Sequence, residues 1–395
     1  MVSGAMITVD AALSHLFALV EPLEIEEVPL AEAAGRILAR DVTARRDQPP
    51  FSASAMDGYA LRGNEATPGA RFTVIGEAAA GHGFHRNVNA GEAVRIFTGA
   101  PLPEGATRVI IQEDVTRDGD TITLGQDLDA KDHIRPLGCD FRKGQSITAP
   151  RALRPADIAL MASMNIASVP VRRKPQVALI STGDELVMPG ETPGPDQIIA
   201  SNTFGLKALL EARGARARIL PIARDTVASL TTAFGLAEGA DLIVTIGGAS
   251  VGDHDLVGRV AGDLGMDRAF YKVAMRPGKP LMAGRMGGAA MVGLPGNPVS
   301  AMVCGHVFVA PMIDKMLGLG AGPAPRRMTA LAAPLPSNGP REHYMRARLT
   351  DQGLIAEEKQ DSSLLSILAH SDALLVRPPH DPEREAGETV AYLPI

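Results

Sequence analysis

No tryptophan occurs in the 395 residues, and aromatic residues of all kinds supply only 4% of the chain. The cores must therefore be aliphatic. Cysteine is nearly as scarce: Cys139 and Cys304 stand far apart, without the CxxC spacing that zinc ligation or dithiol redox chemistry uses. Two reduced thiols suit a reducing cytoplasm, the expected compartment. No Lys/Arg run exists that would neutralise a polyphosphate backbone, and 39 basic residues against 45 acidic ones leave a formal charge of -6. Nucleic acid is not an expected partner of such a chain. The N-terminal stretch carries Asp10 and no basic leader, so no secretory signal is expected. The most apolar stretch, PVSAMVCGHVFVAPMI at residues 298–313, is short and contains His306, which predicts a buried helix and no membrane span.

What is present is globular in kind. Hydrophobic residues make up 45% and charged residues 21% of the chain. The 41 glycines and 30 prolines are spread out, as turns require. A chain this long predicts two to four domains. Thr8 can cap a helix in which Leu13, Leu16, Phe17 and Val20 share a face. LAEAAGRILARDV predicts a second helix, and the paired prolines of RRDQPPFSAS mark a boundary near residue 45. RFTVIGEAAAG, EAVRIFTGA, ATRVIIQEDV and DTITLGQDL then predict short strands, before RPADIALMASMNIAS returns to helical spacing. The β block thus reads as an insertion.

From residue 176 strands and helices alternate, which predicts a parallel-dominated sheet with right-handed crossovers. The helix in DTVASLTTAFGLAEG is expected to open on Asp225, and NPVSAMVCGHVFVAPMIDKMLG to form one long helix. After the linker GLGAGPAPRR, five β-rich segments predict a small all-β domain. The expected division is 1–44 with 141–175, an inserted mostly-β domain at 45–140, an α/β domain at 176–322 and a β domain at 323–395.

Ligands of open α/β sheets bind outside the carboxyl ends of the strands. Three loops fall there: Thr182 to Leu186 after QVALIS, Ile246 to Asp255 after DLIVT, and Leu294 to Ser300 after AAMVG. In the second, Gly247, Gly248 and Ser250 can face an anion through freed backbone N–H groups, although the same glycines also make a plain tight turn. In the third, Pro295 and Gly296 precede Asn297 as N-cap and Pro298 at the first helical position, which helix initiation alone accounts for. Glu185, Asp225 and Asp255 stand at loop or helix starts on this edge. The macrodipole favours acids at such places, and oxygen ligands for Mg²⁺ beside phosphates use the same residues. Lys272, Arg276 and Lys279 put three cations into eight residues stiffened by Pro277, Gly278 and Pro280. Their position between sheet strands favours anion binding over a solvated surface loop.

The set PPFSASAMDGYA, IFTGAPLPEGA, STGDEL, GGASVGDHDLV, MRPGKP and GLPGNPVSA resembles the molybdopterin molybdenumtransferase family, which includes bacterial MoeA and the C-terminal part of gephyrin. The likeness covers essentially the whole chain. It departs at Cys139 before Asp140, where the family usually has Glu, and at Arg276, where many relatives have Lys.

The resemblance implies a MogA-like α/β molybdopterin-binding domain, a C-terminal β-barrel-like domain and an elongated homodimer. It implies insertion of molybdate into adenylylated molybdopterin with release of AMP, assisted by Mg²⁺. Glu185, Asp225 and Asp255 would hold the metal, and Lys272 and Lys279 would serve the reaction. Thr182, Gly247, Gly248, Ser250, Pro295, Asn297 and Pro298 would line the phosphate and pterin site. Arg276, Lys279, Arg346 and Ser362 would take the molybdate oxyanion, while Asp57, Thr98 and Asp140 would close the cleft. Transient contact with the adenylyltransferase that supplies the adduct, and with molybdoenzyme chaperones, follows from the same resemblance. A molybdopterin adenylyltransferase or a non-catalytic molybdopterin-binding scaffold are the alternatives; AMP-adduct formation from molybdopterin and ATP, and turnover of the adduct with molybdate, separate them.

Overall fold

The computed structural model describes residues 6–248 and 256–395. Ser250 and Asp255 lie outside them. The chain forms two compact units. One comprises the residues up to Glu26, Gly35–Ala39 and Val171–Ile395; the other comprises Glu27–Ala34 and Arg40–Pro170.

The first unit contains a six-stranded sheet in the order Arg216–Ile219, Gln176–Ser181, Leu242–Ile246, Ala289–Leu294, Pro280–Met286, Asp267–Lys272. The first four strands run parallel and the last two pairings are antiparallel. Leu242–Ile246 and Ala289–Leu294 are buried along their whole length. This is the pattern of central strands covered on both faces, and it explains why they read as unbroken apolar runs. Strand Pro280–Met286, hidden in sequence by its Pro, Gly and Arg residues, is an unexpected inner strand that pairs antiparallel on both sides and makes Asp267–Lys272 the edge.

Helices Asn202–Ala212, Val227–Leu236 and Leu256–Asp263 follow the expected segments. Thr226, not Asp225, caps the second helix: its side chain accepts a hydrogen bond from Ser229 N. The long C-terminal helix is interrupted. Helix Pro298–Cys304 passes through a π turn at Gly305–Val309 into helix Ala310–Met316. This run is long and apolar enough to cross a bilayer, but 78% of it is buried inside the protein, so it is a core helix. Helix Val9–Ala18 buries Val9, Ala12, Leu13 and Leu16 in the same core cluster as these elements.

The C-terminal strands form a second sheet in the order Met275–Arg276, Glu342–Thr350, Ala373–Arg377, Thr389–Pro394, Arg327–Ala330, with Gly353–Ala356 also on the long strand. Alternation divides that long strand's two faces. Met345 and Ala347 join the small domain's own core, whereas Tyr344 joins the α/β core. Arg346 shares the face of Tyr344.

The segment LAEAAGRILARDV, which is divided between the two units, is not a helix. Only Leu30–Glu32 makes a 3₁₀ turn; Gly35 takes φ 74°, and Ile37–Leu38 and Val42–Thr43 are strands. Left-handed Gly35 stops helix propagation after one turn. The second unit contains a six-stranded sheet in the order Arg108–Ile111, Gly58–Leu61, Glu92–Ile96, Arg71–Ala78, Thr121–Leu124, Val115–Asp118. Gly58–Leu61, which looks unlike a strand in sequence, is a buried inner one. Any Cβ at Gly58 would land on the Ile110 carbonyl oxygen across the ladder, so glycine is what lets the strands close. Helix Pro155–Ser163 packs on the 3₁₀ turn.

Candidate active site

The carboxyl ends of three parallel strands open onto a cavity of about 620 Å³. Thr182 and Gly183 enter it from the first strand, Gly247 and Gly248 from the second, and Pro295 to Pro298 from the third. Glu185 and Asp225 reach it from the loops between. The positions inferred from strand ends therefore converge in space.

The local chemistry differs from the simplest expectation at several points. Gly247 and Gly248 take φ 93° and 64°, and a Cβ at either would crowd Thr182. The pair is thus required by close packing of two strand ends. The Gly247 N–H donates to Leu294 O at 3.1 Å, so it is not free for an anion. Thr182 compensates: its hydroxyl is buried, lines the cavity and has no protein partner. Asn297 heads its helix without using its side chain as a cap. Its Nδ2 donates instead to Ser362 Oγ at 2.9 Å, and Val299 N donates to Ser362 O at 3.1 Å. Ser362 of the C-terminal domain is thereby fastened to the cavity lip, and Ser363 lines the cavity itself.

Asp225 is drawn into an acidic corner. Burial raises its pKa above the ordinary carboxylate value, and the Asp184 and Glu185 carboxylates push it further up. Its N–H donates to Asp184 Oδ1 at 3.2 Å. Asp184 was not singled out from sequence, although it sits in the same TGDEL loop. Among the described residues no group of three acidic, His or Cys side chains gathers into a metal site. Of the three residues expected to hold a metal, Glu185 and Asp225 line the cavity and Asp255 lies outside the described residues.

Lys272, Arg276 and Lys279 do not line this cavity; neighbouring Pro280 does. Their loop is held by its backbone. Val273 N donates to Lys279 O, Glu342 N donates to Ala274 O, and Met275–Arg276 runs parallel beside Glu342–His343. Arg276 and Lys279 are exposed, and Lys272 lies 5.8 Å over the Tyr271 ring.

Arg346 was expected to project into a ligand site but is fully buried, at 0% exposure. Its Nη2 donates to Lys359 O and Asp361 O, both at 3.0 Å. Its Nε and Nη1 are buried without a partner. Burial lowers the pKa of this guanidinium from its ordinary value. Such a charge, half satisfied, costs free energy.

Three family descriptions match in order: MoeA N-terminal region (domain I and II) over residues 7–165, a probable molybdopterin binding domain over 178–315, and MoeA C-terminal region (domain IV) over 329–395. The chain belongs to the MoeA family. A molybdopterin molybdenumtransferase from Haemophilus influenzae is 37% identical over 99% of both chains. One from Nostoc sp. is 34% identical over 94% of this chain and 89% of its own. The crystal structure of a molybdopterin biosynthesis MoeA protein from Pyrococcus horikoshii, 30% identical, superposes over 99% of both chains with a TM-score of 0.84.

In the second unit of this MoeA-family chain, Asp57 Oδ1 accepts from both Thr98 N, at 2.7 Å, and Thr98 Oγ1, at 2.8 Å. These bonds hold the Asp57 carboxyl below its ordinary pKa. Asp140 is exposed, its N–H donating to Gln48 O. Leu186, Ile198, Ile199 and Ala200 form an apolar wall of the cavity that sequence reasoning missed. Ile198 is 59% exposed and lies beside exposed Ile199 in this wall.

Proposed function

We propose that this chain inserts molybdate into adenylylated molybdopterin, releasing AMP and forming molybdenum cofactor. The observation that carries this reading is Arg346, a buried guanidinium with two unpaired nitrogens, whose segment from Lys359 to Ser362 is joined to the lip of the strand-end cavity. Molybdate is a tetrahedral dianion, and the unpaired Nε and Nη1 groups are charge-assisted donors that can each serve an oxyanion oxygen separately, since both parallel forks of the guanidinium use Nη2, which Lys359 O and Asp361 O already occupy. Ser362 supplies a hydroxyl, and Lys279 and Arg276 supply further positive charge from the adjoining loop. The cavity takes the phosphate and pterin, with Thr182 and Asn297 as donors; the wall around Ile198 faces the ligand's apolar surface.

Glu185 and Asp225, with Asp255, are the residues that would hold Mg²⁺. Burial raises the Asp225 pKa and the Asp184 and Glu185 carboxylates add to it; a cation there would relieve that repulsion. A bound Mg²⁺ would neutralise charge developing on the leaving phosphate. This chain's own residues bind and orient; none is placed as a covalent nucleophile. The four-domain division, a homodimer in the cytoplasm, closure of the cleft by Asp57, Thr98 and Asp140, and transient contact with the adenylyltransferase and with molybdoenzyme chaperones belong to the same reading.

Rate measured against molybdate concentration tests it. Losing one charge-assisted hydrogen bond costs about 1.5–3 kcal/mol, roughly ten- to hundredfold in affinity. Arg346→Ala should raise the half-saturating molybdate concentration by about that factor, with adduct affinity little changed. Unchanged molybdate dependence, or an equal loss of adduct binding, would move the oxyanion site elsewhere. Light scattering on the same samples checks the dimer, which an active monomer at micromolar concentration would refute.

A further inference from the structure

We propose that Gln360 is a positioning residue for the oxyanion site: it acts as a side-chain β-bridge that fixes which N–H groups of Arg346 remain free. The inference rests on the molybdate reading of Arg346.

The side-chain oxygen of Gln360 accepts from Arg346 N at 3.0 Å, and its Nε2 donates to Arg346 O at 3.0 Å. One amide side chain thus pairs with both backbone groups of one strand residue, as a neighbouring strand would. The same Nε2 donates to Glu357 O at 2.8 Å, and Glu357 N donates to Arg346 O at 2.8 Å. Residues 357–361 are therefore folded around Arg346 by its backbone and its guanidinium together. The guanidinium then spends Nη2 on Lys359 O and Asp361 O, carbonyls on either side of Gln360. With residue 360 anchored to the strand, those carbonyls are fixed in place, and so is the fork. Nε and Nη1 are left buried and unpaired. One residue further on, Ser362 meets Asn297 Nδ2 and Val299 N. Gln360 thus holds the segment at one end and Asn297 at the other.

This arrangement makes a testable separation. If Gln360 acts through Arg346, removing its hydrogen bonds must weaken the oxyanion site and nothing more once Arg346 is gone. The measurement is initial rate against molybdate concentration for wild type, Gln360→Met, Arg346→Ala and the double variant. Adduct affinity and the thermal midpoint without ligand are measured alongside. Gln360→Met should raise the half-saturating molybdate concentration about five- to tenfold, with kcat at saturating molybdate and adduct affinity within about twofold of wild type. In the Arg346→Ala background the same change should add nothing. Gln360→Glu keeps an acceptor for Arg346 N but loses both donated bonds, and it serves if the Met variant fails to fold; the same direction of effect is expected. Wild-type molybdate dependence in a folded Gln360 variant, alongside a shifted Arg346→Ala, would overturn the positioning role and leave the Arg346 reading standing. Additive effects in the double variant would also overturn it. No shift in Arg346→Ala would remove the reading underneath both.

Discussion

Two arginines on neighbouring strands of the C-terminal sheet are equally hidden and differently used. Arg377 is 2% exposed and Arg346 is 0% exposed. Arg377 is paired with Asp381 through Nε, and its Nη2 donates to Pro336 O at 3.1 Å and Pro382 O at 2.7 Å. Asp381 in turn accepts from Arg384, at 2.7 Å for the shortest bond. That network is closed within the protein. Arg346 has two carbonyl partners and two unpaired nitrogens. A buried charge with its donors filled is accounted for by the fold; one with donors left over calls for a further explanation.

The largest effect expected from this contrast is on stability. Asp381→Ala leaves Arg377 buried without its counter-charge, which costs about 3–5 kcal/mol. Arg346→Met removes a charge that has no direct ion pair, only the more distant Asp361 and Glu357 carboxylates, so the unliganded protein should lose far less stability than Asp381→Ala does. Molybdate should raise the denaturation midpoint of wild type, because a ligand that binds only the folded state stabilises it. The Arg346→Met protein should show no such rise. Guanidinium denaturation curves with and without molybdate test both; an Arg346→Met protein as unstable as Asp381→Ala would erase the distinction.

The same sheet carries a pH dependence. Burial lowers the His343 pKa to about 4, reinforced by Arg276, Arg346, Arg377 and Arg341. In the core helix, burial lowers the His306 pKa to about 4, with help from Arg213. The unfolded chain binds protons near 6.5, whereas the fold keeps both rings neutral. Between those values the unfolded state holds more protons. Stability should therefore be full above pH 6.5 and fall continuously toward about pH 4. Asp225 and Asp314, whose pKa values are raised by burial, oppose this loss in part. Midpoints at pH 7 and pH 5 for wild type and His343→Gln check it; the variant should lose less on acidification than wild type does.

Much of the fold was legible because it is written in local pattern. Strands Gln176–Ser181, Leu242–Ile246 and Ala289–Leu294 announce themselves as apolar runs, and strand ends lead to cavity residues by topology alone. What could not be read depends on contacts remote in sequence. Gly58 is glycine because of Ile110. Asn297 forgoes helix capping because Ser362 is present. Gln360 resembles any polar loop residue until its pairing with Arg346 is seen. The wall at Ile198 and Ile199 carries no periodicity, since it forms only a two-residue ladder with Leu186–Val187.

The smallest effect separates two adjacent residues that sequence pattern merged. Asp225 looks like the opener of a helix, yet Thr226 is the cap, accepting from Ser229 N at 3.2 Å. Asp225 instead lines the cavity beside Glu185. Thr226→Ala removes a side-chain cap, worth about 1 kcal/mol, and should leave turnover near wild type. Asp225→Asn relieves repulsion with Asp184 and Glu185, so its stability should hold or rise slightly while turnover falls steeply. Midpoints and steady-state rates on the two single variants give four numbers whose pattern is fixed in advance. Turnover lost with Thr226→Ala, or kept with Asp225→Asn, would return Asp225 to the helix and take it out of the metal set.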